Sequence, residues 1–250
     1  MKNRYTKRQH YVPKMLLKKW SFDGKFLNCF NKAKQEYAAI CINNVCVEND
    51  LYELKDSNEK YINRNYLEDK MAEMECAFTD YLEDLEEKIL SQAQSSQYIP
   101  LSKKEIFSII YWLAFLASRN PKTTKKLKSV ANQFNIDYTE SLYDLLIDSV
   151  LNYPLSFAAK NIDKVSLEFY VSNEAAFAAS DSLVDLDFGN INQVVPLSPK
   201  LAVKVCLLEE EQNNICKVEI LNKKQIDKVN YRIADGAERF IFFSANYQNA

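Results

Sequence analysis

The spacing of apolar positions changes character along this chain. Phe26 to Phe30 and Tyr37 to Ile42 form short apolar runs that predict strands, with Asp23-Gly24 as a turn signal ahead of them. Val45 to Leu54 alternates loosely and predicts a third strand. From Tyr66 to about Leu90 the period becomes helical. Leu67, Met71, Met74, Phe78, Tyr81, Leu85 and Ile89 recur mostly at spacings of four and three, which lays an apolar seam along one long helix. Ser102-Lys103-Lys104-Glu105 has the S-x-x-E form of a capping box and precedes an apolar run. The helix it opens is expected to reach Arg119 and, being apolar nearly all round, to be buried.

Asn120-Pro121 closes that helix, because the residue before proline disfavours helical geometry. Further helices are expected over Lys122 to Phe134 and over Thr139 to Asn152, the latter with Leu142, Leu145, Leu146 and Val150 on one face. Pro13 suits the first turn of a short helix, Lys14 to Trp20. After Asn161 the period falls to two. Val165 to Val171 alternates as a half-buried strand does, and Ala175 to Ser180, Gln193 to Leu197, Ala202 to Leu208 and Cys216 to Leu221 are further strand candidates. Lys223 to Ala237 predicts a late helix, and Phe240 to Phe243 a last short strand or helix end.

Segregated runs of this kind predict an α+β fold. The expected plan is a single domain over residues 1–250. A small β-rich N-terminal module (1–55) leads to a central bundle of about four helices (56–155). A C-terminal mixed or antiparallel sheet (156–250) follows, with one helix near 223–237.

Composition narrows the chemistry. Only three glycines occur in 250 residues, Gly24, Gly189 and Gly236, too far apart for a dinucleotide fingerprint or a phosphate loop. The single histidine, His10, rules out metal sites built on several histidines. None of the six cysteines is spaced as CxxC, which argues against zinc and for reduced, mostly buried thiols. No apolar run is long enough to span a membrane, and no signal-peptide core follows the basic N-terminus, so a cytoplasmic location is expected. The formal charge of -2 argues against a globally basic nucleic-acid binder. Residues 1–19 nevertheless carry seven basic side chains and no acidic one.

Four pieces in order carry a family resemblance. They are His10-Tyr11-Val12-Pro13 with the LLKKWS stretch after it, Asp50-Leu51-Tyr52-Glu53, Arg119-Asn120-Pro121, and Ser180-Asp181 followed by Pro196-Leu197-Ser198-Pro199. Together they resemble a bacterial family catalogued as domain of unknown function 4238, over approximately residues 9–245. The family pattern around Asp181 reads S-D-N-P, where this chain has Ser180-Asp181-Ser182-Leu183. The resemblance implies an architecture and candidate positions, not a reaction.

The candidate chemistry is a histidine, an arginine and carboxylates. His10 can act as a general base; its basic surroundings lower its pKa and keep it neutral. The other reading of His10 is a hydrogen bond to a backbone carbonyl that pins the arm to the core. Glu68 and Glu75 are seven apart on the long helix, so they share a face ~10.5 Å apart and flank the buried seam. With Asp181 they could form a carboxylate cluster able to hold Mg²⁺. Residues 48–87 hold 14 acidic and 4 basic side chains, so a solvated helix face accounts for most of these charges. Arg119 can complement the helix dipole or present a fork to phosphate.

Two readings follow. In one, the chain is a phosphodiester-cleaving enzyme of a bacterial toxin or phage-defence context. His10, Arg119 and Asp181 are then catalytic, Glu68, Glu75 and Asp181 are metal ligands, and Arg4, Lys7 and Arg8 hold RNA or DNA. This requires the side chains to converge in a cleft. In the other, the same residues form a structural polar network in a non-catalytic protein- or nucleic-acid-binding module. This requires them to be satisfied within the chain.

Overall fold

A helix that is apolar on nearly every side needs a neighbour on every side, and distant parts of the chain supply them. The computed structural model describes residues 5–56, 58–133, 140–184, 193–207 and 215–244. Its first part contains β1 (Arg8–His10), α1 (Lys14–Lys18), β2 (Phe26–Asn31), β3 (Glu36–Cys41), a 3-10 turn (Ile42–Asn44) and β4 (Val47–Asn49). There follow α2 (Tyr66–Ala93), β5 (Tyr98–Pro100), α3 (Lys103–Ser118), α4 (Pro121–Gln133), α5 (Glu140–Ile147), a π-helical segment (Asp148–Asn152) and α6 (Tyr153–Asn161). The last part holds β6 (Val165–Val171), β7 (Ala179–Ser180), β8 (Val194–Pro196), β9 (Leu201–Leu207), β10 (Ile215–Ile220), α7 (Lys223–Gly236) and β11 (Phe240–Phe243). The class is α+β, as the segregated pattern predicts.

Local chemistry explains the best-formed elements. Ser102 Oγ accepts from the Glu105 amide (3.2 Å) and the Ser102 amide donates to Glu105 Oε2 (2.7 Å), closing the predicted capping box on α3. Asn222 and Gln225 do the same at the start of α7. α3 buries Trp112, Phe115 and the residues around them, and Phe78 of α2 meets the Trp112 ring at 4.8 Å. The α2 seam differs in part from expectation. Leu82 belongs to it, whereas Met74 and Tyr81 lie at its margin, where Tyr81 hydroxyl donates to the Glu105 carbonyl at 2.9 Å. On α5, Leu142 and Leu146 are buried as predicted but Leu145 is exposed. The sequence pattern missed α6, whose Pro154 sits in the first turn, where its missing N–H costs nothing.

The strands form three sheets. β1 and β4 make an antiparallel pair, His10 opposite Val47. A five-stranded mixed sheet runs β5-β10-β6-β9-β8, parallel only between β10 and β6. A four-stranded antiparallel sheet runs β3-β2-β11-β7. The predicted N-terminal β module is therefore not closed on itself: its hairpin is completed by the last described strand, with Phe242 opposite Cys29. The predicted strand Val45 to Leu54 shrinks to β4 because Cys46 and Asp50 both take positive φ (54° and 50°) and break it at each end. Ala175 to Ser180 likewise shrinks to the two residues of β7. All six cysteines are free thiols. Among the described residues, no helix is long and apolar enough to cross a membrane.

Ser102→Ala removes one half of the α3 cap while leaving the apolar run intact. We expect a loss of ~1 kcal/mol in urea unfolding with an unchanged m-value; no loss would mean that burial alone sets the start of α3.

Candidate functional site

Arg119 follows the last residue of α3 in helical geometry, its amide bonded to the Phe115 carbonyl at 3.3 Å. The C-terminal half of the helix it ends, Trp112 to Ser118, is buried throughout, so the side chain enters the interior, and it is 1% exposed. One guanidinium nitrogen pairs with Glu75 Oε1 and the other terminal nitrogen donates to the His10 carbonyl oxygen. The Arg119 carbonyl accepts from the Tyr52 hydroxyl at 2.8 Å. Arg119 Nε is buried and has no hydrogen-bond partner among the described residues.

The α2 carboxylates lie where the seven-residue spacing puts them. Glu75 is taken by Arg119. Glu68 also feels Arg119, but its Oε2 is buried with no hydrogen-bond partner among the described residues. Burial pushes the Glu68 carboxyl up to about 7, with Arg119 opposing and Glu75 and Glu53 adding to the rise. Glu53 closes the group. Its Oε1 accepts from Gln9 Nε2 (2.8 Å) and from the Asn65 amide (3.1 Å), and burial raises its carboxyl too. Gln9 Oε1 in turn accepts from the Tyr52 amide at 2.8 Å. Gln9, Tyr52 and Glu53 were not picked out as site residues from sequence. Their one signal was position: Gln9 directly precedes His10, and the other two sit in the Asp50-Leu51-Tyr52-Glu53 piece.

His10 is buried in β1, and its Nε2 lies 3.0 Å from the Ile42 carbonyl oxygen. A carbonyl can only accept, so Nε2 carries the proton and donates. The imidazole is held neutral, its pKa lowered to about 4. Burial is the main cause, partly offset by the bond to Ile42, and Lys14, Arg119 and Arg8 lower it further. The neutral state was expected; its larger cause is burial, not the basic neighbours.

Asp181 stands apart. β7 pairs with β11, which turns the residue after β7 onto the start of that last strand. Its Oδ1 accepts from the Glu238 amide (3.0 Å) and its Oδ2 from the Arg239 amide (2.9 Å), which hold the carboxyl down against a stronger upward push from burial. It also acts electrostatically on the Tyr11 hydroxyl and the Cys46 thiol, both raised chiefly by burial. Among the described residues it makes no hydrogen bond or ion pair with Arg119, Glu68 or Glu75. The expected triad of Glu68, Glu75 and Asp181 is thus not brought together, and no group of three or more His, Cys, Asp or Glu side chains among the described residues is arranged to hold a metal ion.

Of the basic arm, Arg4 lies outside the described residues. Lys7 and Arg8 are exposed, and Arg8 donates to Asn44 Oδ1 at 3.0 Å. Tyr5 stacks on Arg64 (4.5 Å to the ring centroid), which also covers Tyr61 at 4.0 Å. The α4 lysines are largely engaged: Lys122 with Glu238, Lys125 with Glu48, and Lys128 with the carbonyls of Leu51 and Glu53.

The model of a family described as protein of unknown function, DUF4238, matches residues 8–152, more than half of the chain. This chain belongs to the DUF4238 family. No curated protein and no solved structure matches it. The DUF4238 match contains β1, α2, α3 and every residue of the Arg119 network; Ser180-Asp181 and Pro196 to Pro199 lie beyond it.

Two expectations follow for this DUF4238 protein. Arg119→Ala leaves Glu75 without its partner and the His10 carbonyl without a donor, and should cost ~3–5 kcal/mol in chemical denaturation. Arg119→Lys, which lacks the fork that reaches both acceptors, should recover only part of it. Equal stabilities of wild type and Arg119→Ala would remove the network from the fold's energetics. For Glu68, the folded chain keeps the proton up to about pH 7. The unfolded chain releases it near the ordinary glutamate value, so its contribution to stability falls as pH rises between those values, by up to ~3 kcal/mol. Glu68→Gln should abolish that fall, so its melting temperature should gain on wild type from about pH 5 to about pH 8. His10 has the opposite slope at lower pH and cancels in the difference. Parallel melting curves across pH would show that Glu68 titrates normally.

Proposed function

We propose that this DUF4238 protein is a non-catalytic interaction module in which the motif residues form a polar lock between the N-terminal arm and the helices. The observation that carries this reading is the buried Arg119 guanidinium, spent on Glu75 and on the His10 carbonyl. An arginine that clamps a phosphoryl group must turn its fork to the substrate; this one turns it to its own chain. His10 and Asp181 are likewise spent on the chain's own backbone. The surface left for a partner is the arm and α1, where Lys7, Arg8, Lys14 and Lys18 stand exposed. A run of cations without an acidic residue suits a polyanion such as RNA or DNA.

One observation favours the second reading, a phosphodiester-cleaving enzyme. Glu68, with an unpartnered oxygen and a pKa of about 7, has the poise of a general acid or base beside Arg119.

The test pairs cleavage with binding. Purified wild type, His10→Ala and Glu68→Gln are incubated with single- and double-stranded RNA and DNA, with Mg²⁺, with Mn²⁺ and with chelator. Binding of labelled RNA and DNA is followed by anisotropy. We expect no cleavage, a lower melting temperature for His10→Ala, and salt-sensitive binding that Lys7→Glu/Arg8→Glu weakens. Cleavage abolished by Glu68→Gln in a variant that melts no lower than wild type would replace the first reading with the second.

A further inference from the structure

Among the described residues, sheet edges are blunted, with one exception. β5 and β8 have three residues each and end in Pro100 and Pro196; β7 has two residues; β1 and β4 have three each. Short strands and proline discourage pairing with another chain. β3 is the outer strand of the four-stranded sheet and has six residues. From Tyr37 to Cys41 it carries no charge and no proline. Glu36 to Ala39 are exposed, and Tyr37, at 77%, is the most exposed large hydrophobic residue among those described.

The backbone of β3 is presented as well as its side chains. The Ile42 amide donates to the Lys25 carbonyl at 2.8 Å, which continues the β2–β3 register by one pair. Hydrogen-bonded and non-bonded pairs alternate along an antiparallel ladder. Ile40, Ala38 and Glu36 therefore turn their N–H and C=O toward β2, while Cys41, Ala39 and Tyr37 turn theirs outward. The side chains of those same three residues share one face with Phe26 and Phe30. On that face Tyr37 packs on Phe30 at 4.9 Å, and Phe22 stacks on Phe26 at 6.2 Å.

We propose that β3 pairs antiparallel with β3 of a second copy of this chain, about a twofold axis at Ala39, so that the two four-stranded sheets become one continuous sheet. The strand is complementary to itself in this register, as a twofold contact requires. Ala39 meets Ala39, where small side chains let the backbones approach. Tyr37 lies opposite Cys41 of the other copy, a large ring over a small thiol, and each of these outward residues exchanges both backbone bonds with its opposite. Glu36, which pairs with Lys34 of its own chain at 3.4 Å, comes opposite Ile42 of the other copy. This pairing is independent of whether Glu68 performs chemistry.

Sedimentation equilibrium from low micromolar to millimolar protein tests it. Wild type should approach twice the 29.0 kDa chain mass. Ala39→Pro removes an outward amide that β2 does not use, and Tyr37→Lys places a charge on the edge. Both should sediment as monomers at all concentrations, and far-UV circular dichroism should show that each keeps the wild-type fold. Hydrogen exchange at the Tyr37, Ala39 and Cys41 amides should slow as protein concentration rises. A wild type that stays monomeric throughout would overturn the proposal, as would a dimer that Tyr37→Lys leaves intact.

Discussion

A guanidinium cannot be left bare inside a protein, and that constraint organises the first two-thirds of this chain. Desolvating the charge costs several kcal/mol unless partners replace the water. Here the partners come from two places: Glu75 on α2 and the His10 carbonyl on β1. Tyr52 adds a bond to the Arg119 carbonyl, and the Tyr52 amide is held in turn by Gln9. A short strand near the N-terminus, a loop, a long helix and the end of a buried helix are thereby required to meet at one place. β1 has three residues and one antiparallel partner, too little to hold the arm by its own ladder. The Arg119 network holds it from within.

The chain is tied a second time, end to end. β11 completes the β2–β3 hairpin, and Lys32 at that hairpin's turn reaches the carbonyls of Ala234 (2.9 Å) and Ala237 (2.6 Å) where α7 stops. Cations are favoured at that end of a helix, where the last carbonyls lack amide partners. The Trp20 indole adds a long-range bond to the Phe177 carbonyl at 2.8 Å. Contacts of this sequence separation form slowly, since loop closure precedes their reward. The hairpin is local, but its sheet is complete only when the last strand arrives.

Elements with a repeated local signal were legible. α3 announced itself by its capping box and apolar run, and β6 by strict alternation. β1 and β5 were not, because three residues are too few to show a period. α6 was hidden by Pro154, a residue that breaks helices everywhere except the first turn, where it sits. β4 was overextended because its limits are positive-φ residues that are not glycine, and nothing in their side chains announces them. In the site, the shared face of Glu68 and Glu75 followed from helix geometry alone. The role of the His10 carbonyl did not, since a backbone acceptor leaves no mark in the residue pattern. Asp181 was the right kind of residue in an unexpected place, because the pairing of β7 with β11, a contact between distant segments, decides what it faces.

The charge balance around Arg119 bears on what the network can do. The buried Arg119 cation faces two acids, Glu75 and Glu68, and burial raises the Glu68 carboxyl, whereas Glu53 beside them has Arg64 and Lys128 as its own cations. Were Glu75 and Glu68 both charged beside the one guanidinium, the group would be net negative and would repel a phosphodiester before it arrived. A protonated Glu68 relieves that excess, bringing the group closer to neutrality. Neutrality suits a buried joint, which must be stable in the absence of any ligand. A site that waits for an anion needs the opposite bias, with positive charge left over. The exposed cations of the arm and α1 have that bias, and they lie outside the network that holds them in place.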